Sequence, residues 1–455
     1  MRAFLVRSML AVVVVVATVV NPASQAQPAT AGGRPFTVAL TGDSIITRHV
    51  AGRTEPAFLK LVDLVRGADA AFTNLEMLFH DYEPYPMHES GGTYMRADPA
   101  IVKDLVWFGF DLVSRANNHT GDYGVLGMQL TSRYVTEVGL VQAGVGNSLM
   151  EAREARFFDA PGGRVALVSV ASTFPDHARA SRSRGDMPAR PGLNPLRFST
   201  TYVVTRGQLE QLRATVRALG LNAPVQGDSL TAFRARFQVG ETPSARTEAR
   251  AEDITEIAAV VNSASRLADY TIVSIHGHEG GRSRTAPADF LITFARAMID
   301  AGADVVAGHG PHVIRGIELY KGKAIFYSLG DFLFENDTVL RLPAENYERY
   351  DLGVDKHGAD FADARSGGGR RGFVADSEVW EGLLALPRWS GKALMDITLY
   401  PVTMGFGQPL GVRGRPQLAT GELAQKILDN AAKRSVEFGT TVSVRDGVGR
   451  IEVTR

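Results

Sequence analysis

Apolar and polar positions change period repeatedly along the chain. Phe36–Leu40, FTVAL, is a β-branched and apolar run of strand length that ends in the polar turn Thr41-Gly42-Asp43-Ser44. Glu55–Arg66 then places its apolar residues at helical spacing, and Ala68–Asn74 returns to strand character. The exchange recurs with a helix over Asp98–Phe108, opened by the cap and first-turn pair Asp98-Pro99, and a strand over Phe110–Ser114. A helix over Tyr123–Val138 follows, then strands over Val141–Gly144 and Val165–Val170. This alternation predicts an α/β fold with a mainly parallel sheet covered by helices on both faces.

The rhythm stops at Phe174–Arg250, which has one helical stretch, Gly207–Leu219, and holds 12 Arg against 6 Asp and Glu. It reads as an insertion, either a solvated flap or a basic wall for an anionic substrate. Helix and strand resume as Glu252–Ala268 with Tyr270–Ile275 and as Ala288–Ala301 with Ala303–Ala307, and Gly316–Tyr320 and Ala324–Ser328 flank a hairpin turn. Residues 336–378, with SGGGRRG at their centre, read as an irregular surface loop. Strands at Ala393–Tyr400, Thr441–Val444 and Arg450–Val453 and a helix at Gly421–Glu437 close the chain. The expected organisation is a leader at 1–26, a linker at 27–34, a domain at 35–340 with a basic insertion at 174–250, an irregular loop at 341–378 and an α+β extension at 379–455 on the same domain.

The start of the chain carries its own signal. Arg2 and Arg7 precede the run MLAVVVVVATVV, and Ser24-Gln25-Ala26 suits a cleavage site, so residues 1–26 predict export to the periplasm or beyond. The run is shorter than the roughly 20 residues of a bilayer span, which makes an uncleaved anchor, and with it membrane attachment, the second choice. The chain has no Cys, which excludes disulfides, thiolate metal sites, iron–sulfur clusters and Cys nucleophiles. Its 49 Lys and Arg balance 49 Asp and Glu, which argues against a dedicated nucleic-acid binder.

Candidate chemistry gathers where strands end, the place an open α/β sheet puts its sites. The turns are Gly42-Asp43, Asn74-Leu75-Glu76, Asn117-Asn118-His119, His276-Gly277-His278-Glu279 and His309-Gly310-Pro311-His312, with the turn ending in Asp331 as a sixth. Five of the ten His lie in three of these turns. Carboxylate oxygens and imidazole nitrogens are the donors expected of one or two divalent ions, Zn, Mn or Fe. Such a centre activates water and polarises an ester oxygen, and a His left free of metal can protonate the leaving group. His276 and His278 alternate past a strand, so both can face one crevice, while His309 and His312 flank a turn stiffened by Pro311. His49, His80, His88, His177 and His357 are expected to be solvated, and the three Trp to serve packing.

The pieces TGDS, FTNLE, NNHTGDYG, VSIHGHEGG and GADVVAGHGPHVIRGIELYKGKAIFYSLGDFLF, in that order, resemble the CapA-type capsule synthesis family, also described as poly-γ-glutamate biosynthesis proteins. GRPQLAT and RSVEFGT resemble a C-terminal extension found in one branch of it. The resemblance implies a fold similar to the calcineurin-like metallophosphoesterases: an α/β four-layer sandwich, two central mixed sheets flanked by helices, around a two-metal site. Carried over residue by residue, it implies that Asp43 holds the first metal, that Glu76 or Asn74 stands at the bridging-carboxylate position, and that Asn118 is an amide ligand. His119 is then the acid or transition-state stabiliser, and His276, His309 and His312 complete the shell, with His278 as an alternative to His276.

The chain departs from those patterns in places. Ser44 and Ile45 follow Asp43, so the phosphoesterase Asp-x-His is absent and one His ligand with it. Asn-Leu-Glu at 74–76 replaces Gly-Asp-x-x-Asp, Asp331 stands where the family usually has Asn, and His-Gly-His-Glu replaces His-Trp-Gly-x-Glu. The expectation is an exported protein of capsule or poly-γ-glutamate production with a metal-dependent, hydrolase-like site acting on a phosphoester or amide bond. Its expected partners are an anionic polymer and envelope-associated synthesis machinery. Two alternatives stay open: a non-catalytic polymer-handling accessory, and a general periplasmic metallophosphoesterase.

Overall fold

The computed structural model describes residues 34–222 and 225–453; the leader at 1–26 and the linker at 27–34, Arg34 excepted, lie outside them. The first of two central sheets runs Ser443–Arg445, Val448–Glu452, Ala393–Thr403, Glu381–Ser390, Phe36–Ile45, Ala70–Leu75, Leu112–Ser114 and Val141–Ala143. Phe36–Ile45 pairs in parallel with Ala70–Leu75 and with Asp331–Phe334, and antiparallel with Glu381–Ser390. The second sheet runs Ile317–Tyr320, Lys323–Phe326, Val305–His309, Tyr270–His276, Gly163–Ala171 and Arg156–Ala160, parallel at its centre and antiparallel at both edges.

Strand alternation decides which side chains each layer buries. Leu40 and Phe72 of the first sheet share one core with Leu167, Ile272 and Phe326 of the second. On the first sheet's other face, Ala39, Ala71 and Val113 receive Phe58, Leu61 and Val65 from the helix Pro56–Arg66 and Leu105 and Phe108 from the helix Val102–Phe108. On the second sheet's other face, Val168, Val273 and Val306 receive Ile257 and Val261 from Ala251–Ser265 and Phe294 and Met298 from Asp289–Asp300. Each such large apolar side chain contributes about 1.5–3 kcal/mol on burial. The result is the four-layer α/β sandwich with two mixed sheets.

The mainly parallel single sheet read from the alternation is therefore corrected. Glu381–Ser390, next to Phe36–Ile45 at the centre of the first sheet, carries Pro387, a residue that argues against a central strand. Antiparallel strands from the C-terminal region complete that sheet, while the middle of the chain builds the other. Within the Arg-rich stretch, Val225–Gln226, Ser229–Ala232, Ala235–Val239, Phe198–Val204 and Ser244–Ala249 form a five-stranded sheet. The helix Arg206–Ala218 lays Leu209 and Val216 on Leu230 and Ala232, giving this region a small core of its own in place of a simple flap. The stretch at 341–378, read as irregular, holds two short helices, Ala344–Glu348 and Gly358–Ser366. No helix among the described residues is long and apolar enough to cross a membrane.

Candidate metal centre

Both sheets end their parallel strands at one edge. Register pairs Asp43 with Asn74 and with Asp331 in the first sheet, and His276 with His309 in the second. The Phe36–Ile45 strand loses regular register between Leu40 and Asp43. Gly42 sits in that irregularity, where an added Cβ would lie 1.7 Å from the Gly330 carbonyl oxygen, so only glycine lets the two segments close. At Gly310, φ is +113° and a Cβ would come within 3.1 Å of His276 Nε2. The turn between His309 and His312 thus needs glycine both for its conformation and for its nearness to the imidazoles.

Asp43 is fully buried and lies at the middle of a polar cluster. Its Oδ1 accepts from Asn74 Nδ2 at 2.7 Å and lies 3.6 Å from His276 Nδ1 and 3.4 Å from His309 Nδ1. Its Oδ2 accepts from the Gly310 N–H at 2.8 Å and lies 3.8 Å from His312 Nδ1. Glu76, also fully buried, brings Oε1 to 3.7 Å from His119 Nε2, 3.9 Å from His276 Nε2 and 4.0 Å from His312 Nε2. His276 joins the two halves, because its Nε2 is also 3.1 Å from His278 Nε2. Donor atoms of Asp43, His276 and His309, of Glu76, His276 and His278, and of Asp43, Glu76 and His312 form three sets, each within 4.8 Å.

The electrostatics fit a cation. Burial raises the pKa of Asp43, but hydrogen bonds and positive charge from His276 and His309 outweigh it and hold the carboxyl well below its ordinary value. Burial, reinforced by the charge on Asp43, pushes Glu76 well above its ordinary value. Neither Glu76 oxygen has a hydrogen-bond partner. A buried carboxylate beside a second carboxylate, with nothing donating to it, is the arrangement a divalent ion satisfies. Burial lowers His276 to about 4 and His278 well below its ordinary value, which leaves neutral nitrogens able to ligate. Burial lowers His312 as well, but Asp331 and Glu76 overcome that and lift it to about 10. The residues present therefore fit a metal.

His119 approaches from the first sheet's side, on the short 3-10 turn Asn118–Gly121. Its Nδ1 is 2.7 Å from Asp122 Oδ2, which fixes the tautomer and leaves Nε2 facing Glu76. Backbone N–H groups of Gly91 and Met95 donate to the Asp122 carboxylate at 2.9 and 2.8 Å and hold it. Asn118 gives its amide N–H to the Gly91 carbonyl at 2.9 Å and keeps a buried Oδ1 without a partner, the atom an amide ligand would offer.

Asn74 differs from its expected place as a ligand. Its Nδ2 donates to Asp43 and its Oδ1 accepts from Asn117 Nδ2 at 3.4 Å. Turning the amide over would oppose oxygen to carboxylate and N–H to N–H, so Asn74 orients Asp43 instead of presenting oxygen to the cluster. Asp331 lies inside the arrangement, 2.8 Å from His312 Nδ1.

Two residues were missed by the sequence reasoning. Asp122 could have been found from its i, i+3 spacing to His119. Ser274 hydrogen-bonds His309 Nε2 at 2.7 Å, and it could have been found as the strand neighbour two residues before His276, on the same face. His80, expected in solvent, is fully buried against Tyr123 with ring centroids 4.3 Å apart, because the loop around it folds under Tyr82 and Arg96.

Several known proteins are similar to this chain. The model of the family described as bacterial capsule synthesis protein PGA_cap matches residues 37–336. The uncharacterized protein y4sH of Sinorhizobium fredii is 38% identical over 92% of this chain and 93% of its own. The capsule biosynthesis protein CapA of Bacillus anthracis is 24% identical over 73% of this chain and 68% of its own, and the PGA biosynthesis protein CapA of Bacillus subtilis is 27% identical over 66% and 63%.

Proposed function

This chain belongs to the bacterial capsule synthesis protein (PGA_cap) family, and from that premise we propose that it serves production of an anionic capsular or poly-γ-glutamate polymer through a metal-dependent, hydrolase-like centre. The observation that carries this reading is the Glu76 carboxylate, buried without a hydrogen-bond partner among Asp43 and four imidazoles. Asp43, Glu76, His276, His309 and His312 would hold the ion or ions, of Mn, Zn or Fe type, with His278 and the Asn118 oxygen at the margin. An ion held there supplies Lewis-acid activation of water and of the substrate's ester or acyl oxygen.

The chain's own residues do the rest. The Gly310 N–H and Asn74 keep Asp43 oriented. Ser274 turns His309 so that Nδ1 faces Asp43. Asp122 holds a proton on His119 Nδ1, so His119 gives or takes a proton at Nε2, which faces Glu76. The leader-like start of the sequence supports work outside the cytoplasm, alongside envelope-associated synthesis machinery.

The absence of a His two residues after Asp43 favours one second reading, a module that handles polymer without cleaving it. Metal analysis of the protein after metal-replete expression, followed by assays on γ-glutamyl oligomers and on phosphomono- and diesters, tests the first. Stoichiometric Mn, Zn or Fe with turnover of one substrate class is expected. No bound metal would overturn it, and full polymer production by His119→Ala would favour the second reading.

A further inference from the structure

A cleft of about 410 Å³ opens between residues 336–342, the helix Gly358–Ser366 and the turn that follows it. Two of its lining residues lead to the metal centre. Phe373 stacks edge-on against His312 with ring centroids 5.2 Å apart, and is held there by Phe334 and by Trp380 Nε1, which donates to its carbonyl at 2.9 Å. Thr93 follows Gly92, where an added Cβ would lie 3.8 Å from His119 Cε1. The cleft is thus one aromatic ring away from His312, through Phe373, and close to His119 through the Gly92–Thr93 backbone.

Its charges are unevenly matched. Arg413 is paired with Asp337, and the exposed Asp363 also lines the cleft. Arg365 has no carboxylate within ion-pair distance among the described residues. Its guanidinium lies 6.0 Å from the ring centroids of both Phe361 and Phe373, and it donates to Thr93 Oγ1. Arg371 is also without an acidic partner and spends its N–H groups on the Arg365 and Ala364 carbonyls at 3.0 and 2.9 Å, which holds the turn in place. Burial lowers the Arg365 pKa, the mark of a cation taken partly out of water with no counter-charge supplied. A half-buried guanidinium between two aromatic faces, beside a cavity, is a receptor for an oxyanion.

We propose that this cleft is the substrate's anion subsite: Arg365 binds a carboxylate or phosphate group of the substrate and so brings the neighbouring bond to the His312 edge of the metal centre. This rests on the hydrolase-like reading of that centre and adds its substrate class, a molecule carrying an oxyanion next to the bond that reacts. A γ-linked glutamyl chain supplies such a carboxylate at each unit, and a phosphodiester chain supplies a phosphate.

Calorimetric titration of the full chain, metal-loaded and chelator-stripped, with tri-γ-glutamate and separately with inorganic phosphate tests the proposal in wild type, Arg365→Gln and Arg365→Lys. One probe should bind the stripped wild type, and Arg365→Gln should weaken it by about ten- to a hundredfold, the range for losing one charged hydrogen-bonding partner. Arg365→Lys should recover part of that loss, and metal content and melting temperature should be unchanged. Loss confined to tri-γ-glutamate identifies the carboxylate source, and loss confined to phosphate identifies the other. No binding of either probe to wild type, or equal affinity in wild type and Arg365→Gln, overturns the subsite. Oxyanion binding that depends on Arg365 in a protein that takes up no metal would overturn the metal-centre reading and leave the subsite standing.

Discussion

Replacing Glu76 by Gln gives effects of opposite sign in the metal-free and metal-loaded protein. Both carboxylate oxygens are buried without a hydrogen-bond donor, and Asp43 lies beside them. A buried polar group left unsatisfied costs about 1–3 kcal/mol, and more when charged. Gln has the same shape, carries no charge, and its NH₂ can donate toward Asp43, so the stripped protein should gain about 1–3 kcal/mol. With an unfolding entropy near 2.1 cal/mol/K per residue over roughly 420 residues, that is a rise in melting temperature of about 1–3 °C.

An ion at a thousandfold excess over its Kd stabilises wild type by about 4 kcal/mol, or roughly 5 °C on the same scale. Glu76→Gln removes an anionic ligand, so most of that increment should vanish. Differential scanning calorimetry with chelator and with added Mn or Zn reads both effects on one pair of proteins. A stripped Glu76→Gln protein that melts below wild type, together with a metal-induced shift equal to that of wild type, would refute the reasoning.

Three further outcomes follow from the same geometry. His119→Ala should lower kcat by about 10²–10⁴ with metal content unchanged, the usual weight of a positioned proton-transfer group; Asp122→Asn should lower it as well, since it replaces the carboxylate, held by the Gly91 and Met95 N–H groups, that fixes the His119 tautomer, and steady-state rates with metal analysis check both. Gly42→Ala should cost about 2–4 kcal/mol or abolish soluble protein, because its Cβ meets the Gly330 backbone and no flexible side chain can move aside; urea melts measure it, and wild-type stability would contradict the close approach. Burial raises Asp111 to about 6, offset in part by the Ala71 N–H, so the fold favours the neutral acid; its contribution is full below pH 3.8 and is lost as pH rises through about 6. Asp111→Asn should accordingly flatten that part of the stability profile and be more stable than wild type above pH 6, as read by urea melts at several pH values.

What the chain declares openly and what it hides have physical reasons. The candidate-ligand turns were legible because clustered His, Asn, Asp and Gly at the ends of apolar runs have no packing use, and the structure brings all six of those turns together. The strand Glu381–Ser390 was hidden by Pro387, whose missing N–H reads as a break although the pairing around it survives. Phe198–Ala249 was hidden because its strands are short, rich in Ser, Thr and Arg, and carry a core of only a few side chains. Asp122 looked like an ordinary turn residue, and its role depends on Gly91 and Met95, about thirty residues upstream. The direction in which Asn74 points its amide is set by Asn117 and cannot be read from either residue alone.

The candidate ligands come from both central sheets: Asp43 and Glu76 from one, His276, His309 and His312 from the other. A half-formed chain offers no complete cage, so any ion these residues hold could be captured only after both halves have docked. On the metal-dependent reading, which cation is bound would then be set by what is present where the two sheets come together. On that reading, scarcity of the right cation there would leave a fully translated but idle protein, and its supply would act as a switch.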